Sequence, residues 1–148
     1  MTKKYDDASW HYDGDFPSDL PVEAGFTHIG MFVVWAISAN LVIGEEDITD
    51  LDELQRSVLN RSMTPGGLLE REYDGKFCDD CLTEEGKAFA TAYYENRYID
   101  DYCGLLEEGL PSSYHIEDSW DTFDKLKPLL DQRFNEWKYG TLQLKQPS

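Results

Sequence analysis

Cys78-Asp79-Asp80-Cys81 has the C-x-x-C spacing of half a zinc site or of a dithiol redox pair. A closed zinc site needs four ligands, and the remaining candidates, Cys103, His11, His28 and His115, form no second C-x-x-C and no H-x-x-x-H. The two aspartates between the thiols oppose thiolate formation by like-charge repulsion, the reverse of what a redox nucleophile needs. Ordinary reduced thiols are the expected reading, zinc is the alternative, and no metal or cofactor is required.

His11 and His28 lie in the densest aromatic part of the chain, between Trp10 and Trp35, with Asp6, Asp7, Asp13 and Asp15 available to accept from an imidazole. Such a set suits general acid–base catalysis. It equally suits a buried histidine whose ring bonds a carboxylate or carbonyl and fixes the N-terminal segment. No P-loop, GxGxxG, HExxH or nucleophile motif accompanies it, so an enzyme is not the expectation.

Acidic pairs recur at Glu45-Glu46, Asp79-Asp80, Glu84-Glu85, Asp100-Asp101 and Glu107-Glu108, followed by Glu117-Asp118, Asp121 and Asp124. Neighbours on a helix point about 100° apart and do not share a ligand, and the calcium-loop pattern D-x-[DN]-x-[DN]-G is absent. A solvated face and an electrostatic docking face for a basic protein are the two readings. Tyr73, Phe77, Tyr94, Tyr98, Tyr114 and Trp120 interleave with these acids, a mixture suited to an interface or to the rim of a core.

The elements that must position these groups belong to a chain of 148 residues, the size of one domain. Leu, Ile, Val and Phe make up 23% of it, above the roughly 20% below which highly charged chains stay disordered. Thirty acidic and thirteen basic side chains give a formal charge of −17, which repels nucleic acid and anionic lipid. Residues 1–54 carry −10 and residues 77–124 carry −11, whereas 55–76 and 125–148 are mildly basic. Met1-Thr2-Lys3-Lys4 runs into Tyr5-Asp6-Asp7 rather than an apolar segment, so no signal peptide is expected. The longest apolar run, 29–43, is too short to cross a bilayer, which takes about 20 residues. With three sparse cysteines, the expected compartment is the cytoplasm.

Periodicity predicts a mainly α single domain, 1–148, of about four to five helices. Residues 1–21 read as a turn-rich wrap anchored by Tyr5, Trp10, Tyr12 and Phe16, 22–139 as the helical core and 140–148 as a loose tail. The first helix spans about Thr27 to Asn40, is apolar almost all round and stops at Gly44. A second, capped by Thr49 or Asp50, buries Leu51, Leu54, Val58 and Leu59, and a short helix covers 67–73. A third begins after Thr83 and runs to Tyr102 on a stripe of Phe89, Ala92, Tyr93, Ile99 and Tyr102, with Gly104 as its stop. The last starts near Asp118 or Ser119, carries Trp120, Phe123, Leu126, Leu130, Phe134 and Trp137, and ends at Gly140. Pro128 either kinks it or opens a separate segment.

The words Tyr5-Asp6-Asp7-Ala8-Ser9-Trp10-His11-Tyr12, Gly14-Asp15-Phe16-Pro17, Leu20-Pro21 and Thr27-His28-Ile29-Gly30-Met31-Phe32 with Trp35 resemble an uncharacterised bacterial domain family. Its members look like immunity proteins of polymorphic or contact-delivered toxin systems. The resemblance covers about residues 5–41, with fainter agreement through Gly86, Phe89, Tyr93 and Tyr94, and leaves out the Cys78 to Cys81 pair. It implies a cytoplasmic helical inhibitor that binds a cognate toxin, and it carries no catalytic residues over. An acidic domain would meet the basic cleft of a nuclease or nucleotide-directed toxin by steered association. The expected partner-binding rim is Asp79, Asp80, Glu84, Glu85, Asp100, Asp101, Glu107 and Glu108. A small enzyme using His11 and His28, or a generic adaptor, are the alternatives.

Overall fold

A computed structural model describes residues 3–11, 17–20, 22–43 and 51–142, apart from the side chains of Ser9, His11, Val22, Glu23 and Leu51. The expected anchors Tyr12 and Phe16, the stop at Gly44, the acidic pair Glu45-Glu46, the cap at Thr49 or Asp50 and residues 143–148 of the tail lie outside the described residues. The chain is mainly helical, as its periodicity predicts, and folds as one domain. In order come strand β1 (Lys4–Asp7), helices α1 (Thr27–Ser38), α2 (Leu51–Asn60) and α3 (Pro65–Tyr73), and strand β2 (Lys76–Cys78). Helix α4 (Glu84–Phe89), a π-helical segment (Ala90–Tyr98) and α5 (Ile99–Leu106) then form one continuous rod, and α6 (Trp120–Lys138) closes the fold.

Helix α1 is the axis of the core. Every residue from Thr27 to Ile37 is buried, as its unbroken apolar character requires. It packs closest on α3, because Gly30 has no side chain to hold the two helices apart: a Cβ there would stand 2.4 Å from the Pro65 carbonyl oxygen. The helix ends earlier than Gly44. Asn40 takes the left-handed conformation at φ 63°, Asn40 N–H donates to the Ile37 carbonyl, and Leu41 N–H donates to that of Ala36. This paired closure of the last turn usually takes glycine, with asparagine as the tolerated substitute.

The caps expected at Thr83 and Ser119 form: Thr83 Oγ1 accepts from Gly86 N–H and Ser119 Oγ from Thr122 N–H. Thr64 caps α3 in the same way, with Pro65 in the first turn, so this helix starts two residues before the expected 67. Gly140, at φ 74°, ends α6 as expected. That helix runs through Pro128 without a separate segment, and the missing bond to residue 124 falls on the exposed side.

Four expectations need correction. The N-terminal segment is not turns alone: β1 pairs antiparallel with β2, and the ladder gains one residue on β1 between Lys4 and Asp6. Trp10 is 53% exposed with the Lys4 ammonium 5.1 Å from its ring, so it is not a core anchor. Leu59 is 81% exposed, leaving Leu54 and Val58 as the buried stripe of α2. Gly104 does not stop the long rod, which continues to Leu106 and turns over Glu107 to Leu110 with Gly109 at positive φ.

Candidate functional site

The rod breaks the expected period at its middle, and this builds the site. An α-helical stripe through Phe89 and Tyr93 would continue at Asn96 or Arg97, but the buried residues are Tyr94, Tyr98 and Tyr102. The step from Tyr93 to Tyr98 is five residues, which the wider π turn accommodates. Asn96 Nδ2 donates to the carbonyls of Thr91 and Ala92, satisfying acceptors that the wide turn loosens. The rephasing also turns Ile99, expected on the buried stripe, out to solvent.

Opposite the π segment, the extra residue in β1 lets Tyr5, Asp6 and Asp7 all be buried, where a regular strand would alternate. Asp6 then meets α1 and the π segment together. Tyr94 donates its hydroxyl to Asp6 Oδ2 at 2.6 Å, and His28 Nε2 lies 3.1 Å from the same oxygen. Asp7 N–H donates to Asp6 Oδ1 at 2.9 Å. Tyr98 donates to the His28 carbonyl, and its ring stacks on Tyr94 with centroids 4.9 Å apart. Burial pushes both the Tyr94 and the Tyr98 hydroxyl well above the ordinary phenol value, so both stay protonated and donate. The histidine–carboxylate bond that the sequence suggests is therefore made by His28 and Asp6, whereas the His11 side chain lies outside the described set.

Beside this network lies a cavity of about 250 Å³ lined by Tyr5, Asp6, His28, Tyr94, Glu95, Tyr98 and Ile99. At its mouth the Lys3 ammonium pairs with Glu95 and stands 5.2 Å from the centre of the Tyr5 ring. Tyr94, Glu95 and Tyr98 enter the site through the π turn, and the five-residue gap between Tyr93 and Tyr98 is the sequence signal for it.

The rim carboxylates are spread over several elements and differ in how they are engaged. Asp79 accepts from Lys3 N–H, Glu84 pairs with Lys87, and Glu85 lies 3.8 Å from Lys138. Asp80, Asp100 and Glu108 are exposed, and Glu107 is half-buried beside Cys103. Asp101 is tied inside the molecule by Tyr93 at 2.7 Å, Arg133 at 2.9 Å and Arg97 at 3.3 Å. Burial acts to raise its pKa, but the Arg133 and Tyr93 bonds and the two arginine charges outweigh that and hold it below the ordinary value.

Cys78 and Cys81 bracket a single 3-10 turn, and Cys81 Sγ donates to the Cys78 carbonyl at 3.0 Å. Burial first, and the Asp80 charge second, raise both thiols, Cys81 to about 12. No group of three or more His, Cys, Asp or Glu among the described residues could hold a metal ion. No helix among them is long and apolar enough to cross a membrane.

No curated protein and no solved structure matches the chain. Residues 4–116 match a family model described as a domain of unknown function, DUF7832, a span that takes in β1, the His28 helix and the whole rod but not α6. With that span covering well over half of its length, the chain belongs to the DUF7832 family.

Proposed function

We propose that the protein is an antitoxin-like immunity protein of the cytoplasm, binding a cognate bacterial toxin and covering the basic cleft of that enzyme, a nuclease or a nucleotide-directed one. The observation that carries this reading is the way the chain spends its positive charge. Among the described residues, every lysine and arginine except Arg56 and Lys125 lies within ion-pair distance of a carboxylate. The acids in excess, among them Glu70, Asp80, Glu108, Glu117 and Asp121, are exposed. The outer field is therefore negative and steers a basic partner, whereas nucleic acid is repelled. Leu105 and Leu110 are exposed next to Glu107 and Glu108 at the turn after α5, which supplies apolar contact within an acidic rim.

The test is capture on the tagged protein from cells that express a cognate toxin, at low and then raised salt, followed by assay of the captured enzyme. The expected result is a basic enzyme domain that loses activity at a stoichiometric dose of this protein and binds more weakly as salt rises. An enzyme that stays active when saturated, or no capture while toxin is present, overturns the reading.

The Asp6–His28 pair beside a cavity favours a second reading, a small acid–base enzyme in which Asp6 orients His28. His28→Asn tests it: loss of a turnover with the fold intact by circular dichroism supports catalysis. Unfolding, or an intact fold without a change in any turnover, removes it.

A further inference from the structure

The cavity between β1 and the π segment carries a set of aromatic rings that neither reading uses. Three tyrosine rings, Tyr5, Tyr94 and Tyr98, line it together with two carboxylates, Asp6 at the buried end and Glu95 at the mouth. Among the described residues no lysine or arginine lines it, and the His28 ring turns its Nε2 to the Asp6 carboxylate. Aromatic faces beside carboxylates attract organic cations, because the ring quadrupole and the negative charge act in the same direction. A molecule with a formal charge of −17 adds a general field of the same sign.

A second observation points to the same ligand chemistry. The ammonium of Lys3 already occupies the mouth, paired with Glu95 and 5.2 Å from the centre of the Tyr5 ring. That lies within the roughly 6 Å over which a cation and an aromatic face attract. The chain thus places its own alkylammonium on two residues of the cavity wall. The Glu95 carboxylate, by its hydrogen bond and its charge, holds the Lys3 ammonium above its ordinary pKa. Behind it, about 250 Å³ is many times the 10–15 Å³ that one water needs.

We propose that this cavity is a binding site for a small alkylammonium group, with Lys3 as a tethered competitor at its mouth. Tyr5, Tyr94 and Tyr98 supply the aromatic walls, Glu95 the outer charge and Asp6 the inner one. The ammonium comes either from a free amine or from a lysine side chain of another protein, and the chemistry of recognition is the same.

The experiment is an NMR titration of the full chain with tetramethylammonium chloride, n-butylammonium chloride and a Gly-Lys-Gly peptide, with sodium chloride and tert-butanol as controls. The expected result is saturable shifting of Tyr5, Tyr94 and Tyr98 ring signals and upfield movement of the ligand protons with an ammonium probe but not with the controls. Lys3→Gln should tighten binding and Glu95→Gln weaken it, each about three- to fivefold. Both side chains are exposed enough for these variants to fold. Tighter binding of the peptide than of the free amines assigns the source to a protein lysine, and the reverse assigns it to a small amine. No saturation with any ammonium probe, an equal response to sodium chloride, or affinity unchanged in both variants overturns the proposal. None of these outcomes depends on whether a toxin is bound.

Discussion

The Pro65 carbonyl lies where a Cβ on residue 30 would go, only 2.4 Å from it, so Gly30 is the point on which α1 and α3 close. Backbone stands on both sides of that contact, and neither side can rotate away. Gly30→Ala is expected to force the helices apart at a cost of about 1–3 kcal/mol, outweighing alanine's better helix propensity. Urea unfolding followed by circular dichroism measures it, and a neutral or stabilising result would show that the crossing is slack.

Tyr94→Phe leaves the ring and removes the hydroxyl that Asp6 accepts at 2.6 Å. A buried carboxylate that loses a donor is expected to cost about 1–3 kcal/mol. In a double-mutant cycle with Asp6→Ala, which leaves no acceptor, the two effects should not add, since each removes the same bond. Additive losses would mean that the hydroxyl and the carboxylate act separately.

Asp101 links stability to pH. Its depressed pKa means that its contribution is fully present above its unfolded value of about 3.9 and disappears as pH falls through the lower folded value. Asp101→Asn should reduce stability at pH 7 by about 1–3 kcal/mol and flatten the loss of stability below about pH 4. Denaturant midpoints across pH 2–7 (approximately, to bracket that pKa) provide the check. An equal acid limb in both proteins would assign acid unfolding to other carboxylates.

The thiols should report their burial. With its pKa raised to about 12, Cys81 should react with iodoacetamide at pH 8 about two orders of magnitude more slowly than an ordinary thiol. Cys78 and Cys103, raised but only half-buried, should fall between. Mass-resolved labelling gives the order, and denaturant should make the three equal.

Asp80→Lys and Glu108→Lys change exposed groups and should leave stability within about 0.5 kcal/mol. If the acidic exterior steers a basic partner, the same variants should slow association with it, most of all at low salt. Stopped-flow binding at two ionic strengths separates a change in on-rate from a change in dissociation.

Most of the helical frame was legible because local chemistry marks it. Thr83, Ser119 and Gly140 do at helix ends what their side chains or backbone freedom allow anywhere. The α1 stripe is so apolar that only a central position suits it. What local pattern could not supply was the partner across the fold. Tyr5 and Asp6 read as turn residues until β2, some 70 positions later, gives them a ladder. The site followed the same division: a histidine bonded to an N-terminal aspartate was legible from composition, and His28 with Asp6 makes that bond. The tyrosines that complete it were hidden by a helix whose period changes inside the chain.

Helix α6 sits beyond the span matched to the family, yet it serves residues inside that span. Asp131 accepts from the buried Trp35 indole at 2.9 Å, Arg133 holds Asp101, and Phe123, Leu126 and Leu130 are part of the core. A chain cut at residue 116 would keep the whole aromatic cavity and lose the lid of its own interior, leaving an indole N–H without its acceptor and a carboxylate short of an arginine. The limit of family likeness and the limit of autonomous folding thus fall at different places in this chain.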